Sequence, residues 1–140
     1  MFSSSSVLLK SSSAVSRRIA VSLLLGLCMF VGCGEQRAAP VDPVLAKKSL
    51  VEVMEHWKSG GAIEALRKRQ PEIVAQEMWW SQGRKLIGFQ LVGEGRVEDA
   101  NWFCDVELEV SDGEGKEPVK KTFTYVVGTD PVITVFRAIL

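Results

Sequence analysis

One histidine, one tyrosine and three cysteines are all that 140 residues provide, and each shortage removes a class of chemistry. A zinc site needs three or four close His, Cys or carboxylate ligands, which His56 and the one cysteine beyond residue 33, Cys104, do not make. The acidic loop from Asp112 to Glu117 lacks the alternating ligand spacing of a calcium loop and reads as a solvated hairpin turn. No phosphate-binding glycine motif follows a predicted strand, and no Gly-x-Ser-x-Gly elbow occurs. The residues therefore point to no catalytic group, no metal and no cofactor. Beyond residue 33 lie fourteen of the seventeen bases and all seventeen acids, a net charge of minus three with no basic stripe, which argues against nucleic acid. The longest apolar run is the thirteen residues Ile19–Val31, short of the about 20 that cross a bilayer.

That run gives the chain its organisation. Arg17 and Arg18 precede it, Gly32, Cys33 and Gly34 follow it, and no acid occurs before Glu35. Charged start, apolar middle and small-residue end are the three parts of an export signal. Phe30-Val31-Gly32-Cys33 resembles the lipobox of bacterial lipoproteins, although Phe30 stands where that family prefers leucine. The resemblance implies cleavage before Cys33, acylation of its thiol and anchorage of the mature chain in the bilayer. Two or more acyl chains are needed because each buried methylene contributes only about 0.8 kcal/mol. Ser16-Arg17-Arg18 is also similar to the start of a twin-arginine signal, but Ala20 and Val21 do not continue that pattern, so the arginines read as ordinary leader charges. Residues 1–32 are thus expected to be a signal peptide, 33–42 a lipidated tether and 43–140 one small domain facing the periplasm.

With Cys28 in the leader and Cys33 acylated, Cys104 has no disulfide partner, and stability must come from packing. Asp42-Pro43 is a helix start, and Ala46, Leu50, Val53, Met54 and Trp57 then recur on one face until Ser59-Gly60-Gly61. A second helical segment covers Ala62 to Arg69. Glu72 to Gly83 fits either a helix or a short strand followed by a helical turn.

After Gly83 the period changes to two. Trp102, Cys104, Val106, Leu108 and Val110 face one way, Asp105, Glu107 and Glu109 the other. Pairing Val110 with Val119 sets Val106 against Phe123, Cys104 against Tyr125 and Trp102 against Val127, with Glu109 opposite Lys120 on the other face. Leu86 to Gly95 precedes this hairpin; with Phe89 opposite Leu108, Gly93 and Gly95 fall beside Cys104 and Trp102 and leave room for the indole. Gly128-Thr129-Asp130-Pro131 turns into a last strand, Val132 to Ile139.

The expected fold is α+β, N-terminal helices on a four-stranded antiparallel meander. This order, with the Trp80, Gly83, Leu86, Phe89 spacing into the first strand, resembles the cystatin-like and NTF2-like group of cone-shaped folds. That group holds enzymes, binding modules and interaction proteins alike. In such a cone the rings of Trp79, Trp80, Phe89, Trp102, Phe123 and Tyr125 are the candidates to line a small apolar pocket, with a filled core as the favoured reading of the same set. The resemblance implies a homodimer through the outer sheet face, where Phe103, Val126, Ile133, Val135 and Ile139 are expected to gather. His56 and Cys104 are the only nucleophile and base pair on offer, but a thiol among aliphatic neighbours in mid-strand is inert. The expected function is a non-catalytic binding or interaction module; a small pocket enzyme and a purely structural envelope protein are the alternatives.

Overall fold

The computed structural model of this protein describes Gly34 and residues 37–139; the leader and Cys33 lie outside them. Helix α1 (Pro43–Lys58) begins where its sequence predicts. The Asp42 carboxylate accepts from the backbone N–H of Val44 and Leu45 at 2.9 and 3.1 Å, while Pro43 sits where no donor is required. All five stripe residues are buried, together with Ser49, whose hydroxyl donates to the Leu45 carbonyl. The helix stops at Ser59, and Gly60 follows at φ +82°, a left-handed conformation that a Cβ disfavours. The next segment, Ile63–Lys68, is a 3-10 helix that commits only Leu66 to full burial.

The segment left open between two readings is a strand and then a helical turn: β1 (Ile73–Gln76) and α2 (Met78–Ser81). β2 (Lys85–Glu98), β3 (Asn101–Ser111), β4 (Val119–Gly128) and β5 (Ile133–Arg137) follow. The expected β3–β4 register holds residue for residue, Val110 against Val119 through Trp102 against Val127, and Glu109 faces Lys120. Phe89 lies opposite Leu108. β2 runs further than expected, and between Val92–Asp105 and Arg96–Phe103 it bulges, so that Gly93, Glu94 and Gly95 together oppose Cys104. At Gly95 a Cβ would lie 2.5 Å from the Trp102 indole, so the indole occupies the space that glycine leaves.

Two expectations about the sheet need correction. The antiparallel meander is present, but the sheet has five strands in the order β1-β5-β4-β3-β2, because Ile73–Gln76 adds in parallel along Ile133–Phe136. The architecture is therefore α+β on a mixed sheet. A four-residue strand whose partner lies far along the chain leaves no periodic signature. The second correction is one of parity. Ile133 and Val135 point into the core beneath the helices, with Val135 opposite the buried Val127. Apolar residues occupy both parities of this segment, Val132 and Phe136 on one and Ile133 and Val135 on the other, so alternation alone does not choose. Ile139 lies past the end of β5 and is exposed.

The core is a layer of α1 and 3-10 helix residues on the inward row of each strand, from Leu50, Met54, Trp57 and Leu66 to Val106, Leu108, Tyr125 and Val135. The segment ahead of α1 enters this layer: Val41 is buried, the Ala39 N–H donates to Asp130 Oδ2 at 3.3 Å and the Asp42 N–H to Thr129 Oγ1 at 3.1 Å.

Candidate functional site

The most unusual chemistry in the described residues lies where α2 meets the inner face of β4 and β5. Glu77 precedes α2 and caps it: its Oε2 accepts from the Trp80 N–H at 2.6 Å, leaving the other oxygen to point into the fold. Arg137, the last residue of β5, shares the inward parity of Ile133 and Val135, and its Nη1 stands 2.9 Å from Glu77 Oε1. Only 3% of the Glu77 side chain and 10% of the Arg137 side chain meet solvent, so the pair is desolvated. Its alignment is poor, however. Glu77 Oε1, Arg137 Nη1 and the hydroxyl of Tyr125 are all buried without a directed hydrogen bond.

Aromatic rings and further cations complete the cluster. The Arg137 guanidinium lies over Phe123 at 4.2 Å and near Trp79 at 5.4 Å, and these rings meet edge-on at 4.9 Å. Arg84 covers the Trp79 ring at 4.6 Å and pairs with Asp112 at 2.7 Å, while Lys121 stands over Phe123 at 5.2 Å. Each cation gains from a ring quadrupole, by about 0.5–1 kcal/mol where exposed and more where desolvated.

Burial raises the pKa of the Glu77 carboxyl above its ordinary 4.5 and outweighs Arg137 and the backbone N–H groups, which act the other way. Burial, followed by the charge of Glu77, also pushes the Tyr125 phenol far up, so it stays protonated. A carboxyl with a raised pKa beside a guanidinium and a phenol has the composition of an acid–base site. Both side chains are nearly sealed from solvent, and proton transfer requires a substrate atom within hydrogen-bond reach.

The pH dependence follows from the direction of the shift. A carboxyl with a pKa raised on folding holds its proton more tightly in the folded state. Its contribution to stability is therefore full below the unfolded value and is lost as pH rises through the folded one. The unfolding free energy difference between wild type and Glu77→Gln should accordingly change as pH climbs from about 4.5 towards neutrality, with wild type losing ground. Urea titrations of both proteins at several pH values measure it, and a constant difference would show that the carboxyl is unperturbed.

The six aromatic residues expected around one pocket divide into separate groups. Trp79, Phe123 and Tyr125 belong to the cluster above. Trp80 stacks on Trp57 at 5.5 Å, nearly parallel, and donates from Nε1 to the Gly61 carbonyl. Trp102 is buried against Gly95, and Phe89 packs half-buried at the margin of the core. A small cavity of about 150 Å³ is lined by Leu45, Pro71, Glu72, Thr129, Pro131, Val132 and Ile133, none of them from the aromatic set. Its volume is below the roughly 300 Å³ at which ligand pockets begin.

Nor do His56 and Cys104 form a pair. His56 Nε2 is 2.8 Å from the Ala62 carbonyl and Nδ1 3.3 Å from Arg69, whose guanidinium binds Glu52. Cys104 is buried, and its pKa is raised, first by that burial and then by Asp105. No group of three or more His, Cys, Asp or Glu residues able to hold a metal occurs among the described residues.

Known proteins offer no guide. The chain matches no family model, no curated protein and no solved structure. The outer face of the sheet is then the remaining feature of note. Phe103, Val126 and Phe136 line up across β3, β4 and β5 in adjacent register, with Val74 and Val92 nearby. Phe136 takes the place expected for Ile133 and Val135. Arg96 lies over the Phe103 ring and pairs with Glu98, and the Thr124 hydroxyl donates to Asp105 at 2.6 Å. Further along the same face come Glu107 and Glu109.

Proposed function

We propose that this chain is a lipoprotein of the bacterial cell envelope, held in the bilayer by acyl chains on Cys33 and facing the periplasm, whose folded part is a non-catalytic interaction module. The sequence of the leader supports the anchor. The observation that carries the interaction role is the band Phe103–Val126–Phe136 on the outer sheet face, while the buried positions of the strands turn to the helices. Apolar at one end and acidic at Asp105, Glu107 and Glu109, this face fits a protein partner that offers apolar side chains flanked by lysine or arginine. The order of elements supports membership of the cystatin-like and NTF2-like fold group, in which such a face commonly serves association.

Two measurements test the reading. Palmitate labelling should mark wild type and not Cys33→Ala, and wild type recovered unlabelled in the soluble fraction would remove the anchor. A photoreactive residue at Phe136 in intact envelopes should give one discrete protein adduct, lost when Val126→Lys is added. An adduct that survives Val126→Lys, or none at all, would remove the face as a docking site.

A further inference from the structure

The sheet has two edges, and they are treated differently. β1 is four residues long and has the 3-10 helix beside it. β2 is fourteen residues long and forms the other edge, with β3 as its only strand neighbour among the described residues. Long bare edges invite pairing with other chains and are normally guarded by charge, by bulges or by proline. On β2 the guards sit at the two ends. Lys85 and the irregularity at Ile87–Gly88 occupy one end, and the Gly93–Glu94–Gly95 bulge with Arg96 and Glu98 the other. Between them Gly88-Phe89-Gln90-Leu91-Val92 carries no charge, no proline and no irregularity. Its inward residues, Phe89 and Leu91, pack against the core yet remain only half-buried.

We propose that this stretch joins β2 to β2 of a second copy, antiparallel about a twofold axis at Gln90, to give a continuous ten-stranded sheet. Residues directly opposite in an antiparallel pair share a face, so a symmetric pairing must centre on one residue. Centring on Phe89 draws the Ile87–Gly88 irregularity into the ladder. Centring on Leu91 draws in Gly93, which has φ +76°. Only Gln90 keeps the regular stretch intact: Gln90 meets its symmetry mate, Phe89 meets Leu91 on the inner face, and Gly88 meets Val92 on the outer. Each half-buried apolar side chain thereby gains an apolar neighbour. This contact does not depend on the outer-face reading, and it holds or fails whether or not Cys33 is acylated.

The test is a charge exchange at the twofold position in the full-length protein in detergent micelles, read by sedimentation. Wild type should be dimeric. Gln90→Lys and Gln90→Glu, both at an exposed position, should each weaken the dimer by about tenfold or more, since identical charges then face each other. An equimolar mixture of the two should restore it, and Val126→Lys should leave it unchanged. A monomeric wild type, single variants that sediment as wild type does, or a mixture no stronger than either variant alone would each overturn the proposal.

Discussion

Arg137→Ala should destabilise the domain by about 3–5 kcal/mol, because it strips a desolvated carboxylate of its counterion without removing the carboxylate. Glu77 is nearly sealed from solvent, and its Oε1 would then have no cation beside it. Loss of the guanidinium from the Phe123 face adds to the deficit. The contrast that isolates the cause is Glu77→Leu with Arg137→Met, which removes both charges and keeps apolar bulk. Such a replacement is commonly neutral or stabilising, so the double variant should lie close to wild type. The Arg137→Ala deficit should also shrink as pH falls, since protonation of Glu77 neutralises the stranded charge. Urea unfolding at neutral and mildly acidic pH measures all three. A deficit below about 1 kcal/mol, the level of an exposed ion pair, would mean that solvent reaches the pair.

Gly95→Ala is expected to cost about 2–5 kcal/mol, through two separable causes. The residue sits at φ +75°, where a Cβ costs roughly 1–2 kcal/mol in any surroundings. In addition the new methyl would stand 2.5 Å from the buried Trp102 ring, and crowding a packed core costs about 1–3 kcal/mol more. Gly93 separates the two causes. It has nearly the same backbone at φ +76° but nothing within 4 Å of the place a methyl would take, so Gly93→Ala should show only the backbone cost. Equal losses for the two substitutions would show that Trp102 moves aside freely. A change in Trp102 fluorescence for Gly95→Ala alone would support the contact.

The β3–β4 hairpin is legible in the sequence because two patterns agree. Trp102 to Val110 and Val119 to Val127 alternate on one face, while Glu109 and Lys120 meet on the other, and a slip of one residue would break both at once. The room that glycine leaves for the Trp102 indole is legible too, since glycines near a tryptophan signal a close approach, whereas the bulge that sets Gly93–Gly95 against Cys104 is not. Helix α1 follows from its cap and its stripe. The buried pair is another matter. Glu77 and Arg137 are sixty residues apart, and nothing in the spacing of one acid and one base announces contact. The available hint was local, an acid three residues ahead of Trp80 where a helical turn could start, which marks a cap and says nothing of its second oxygen.

What the amino-acid order determined by itself is what short-range periodicity sets: the capped helix and the central hairpin with its register. The tertiary structure decided which way the last strand faces, that a fifth strand lies parallel beside it, and that Arg137 swings in to meet Glu77. These depend on free energies of pairing between distant segments. In Val132–Phe136 both faces are apolar, so local preference is nearly balanced and the core, by burying Ile133 and Val135, makes the choice.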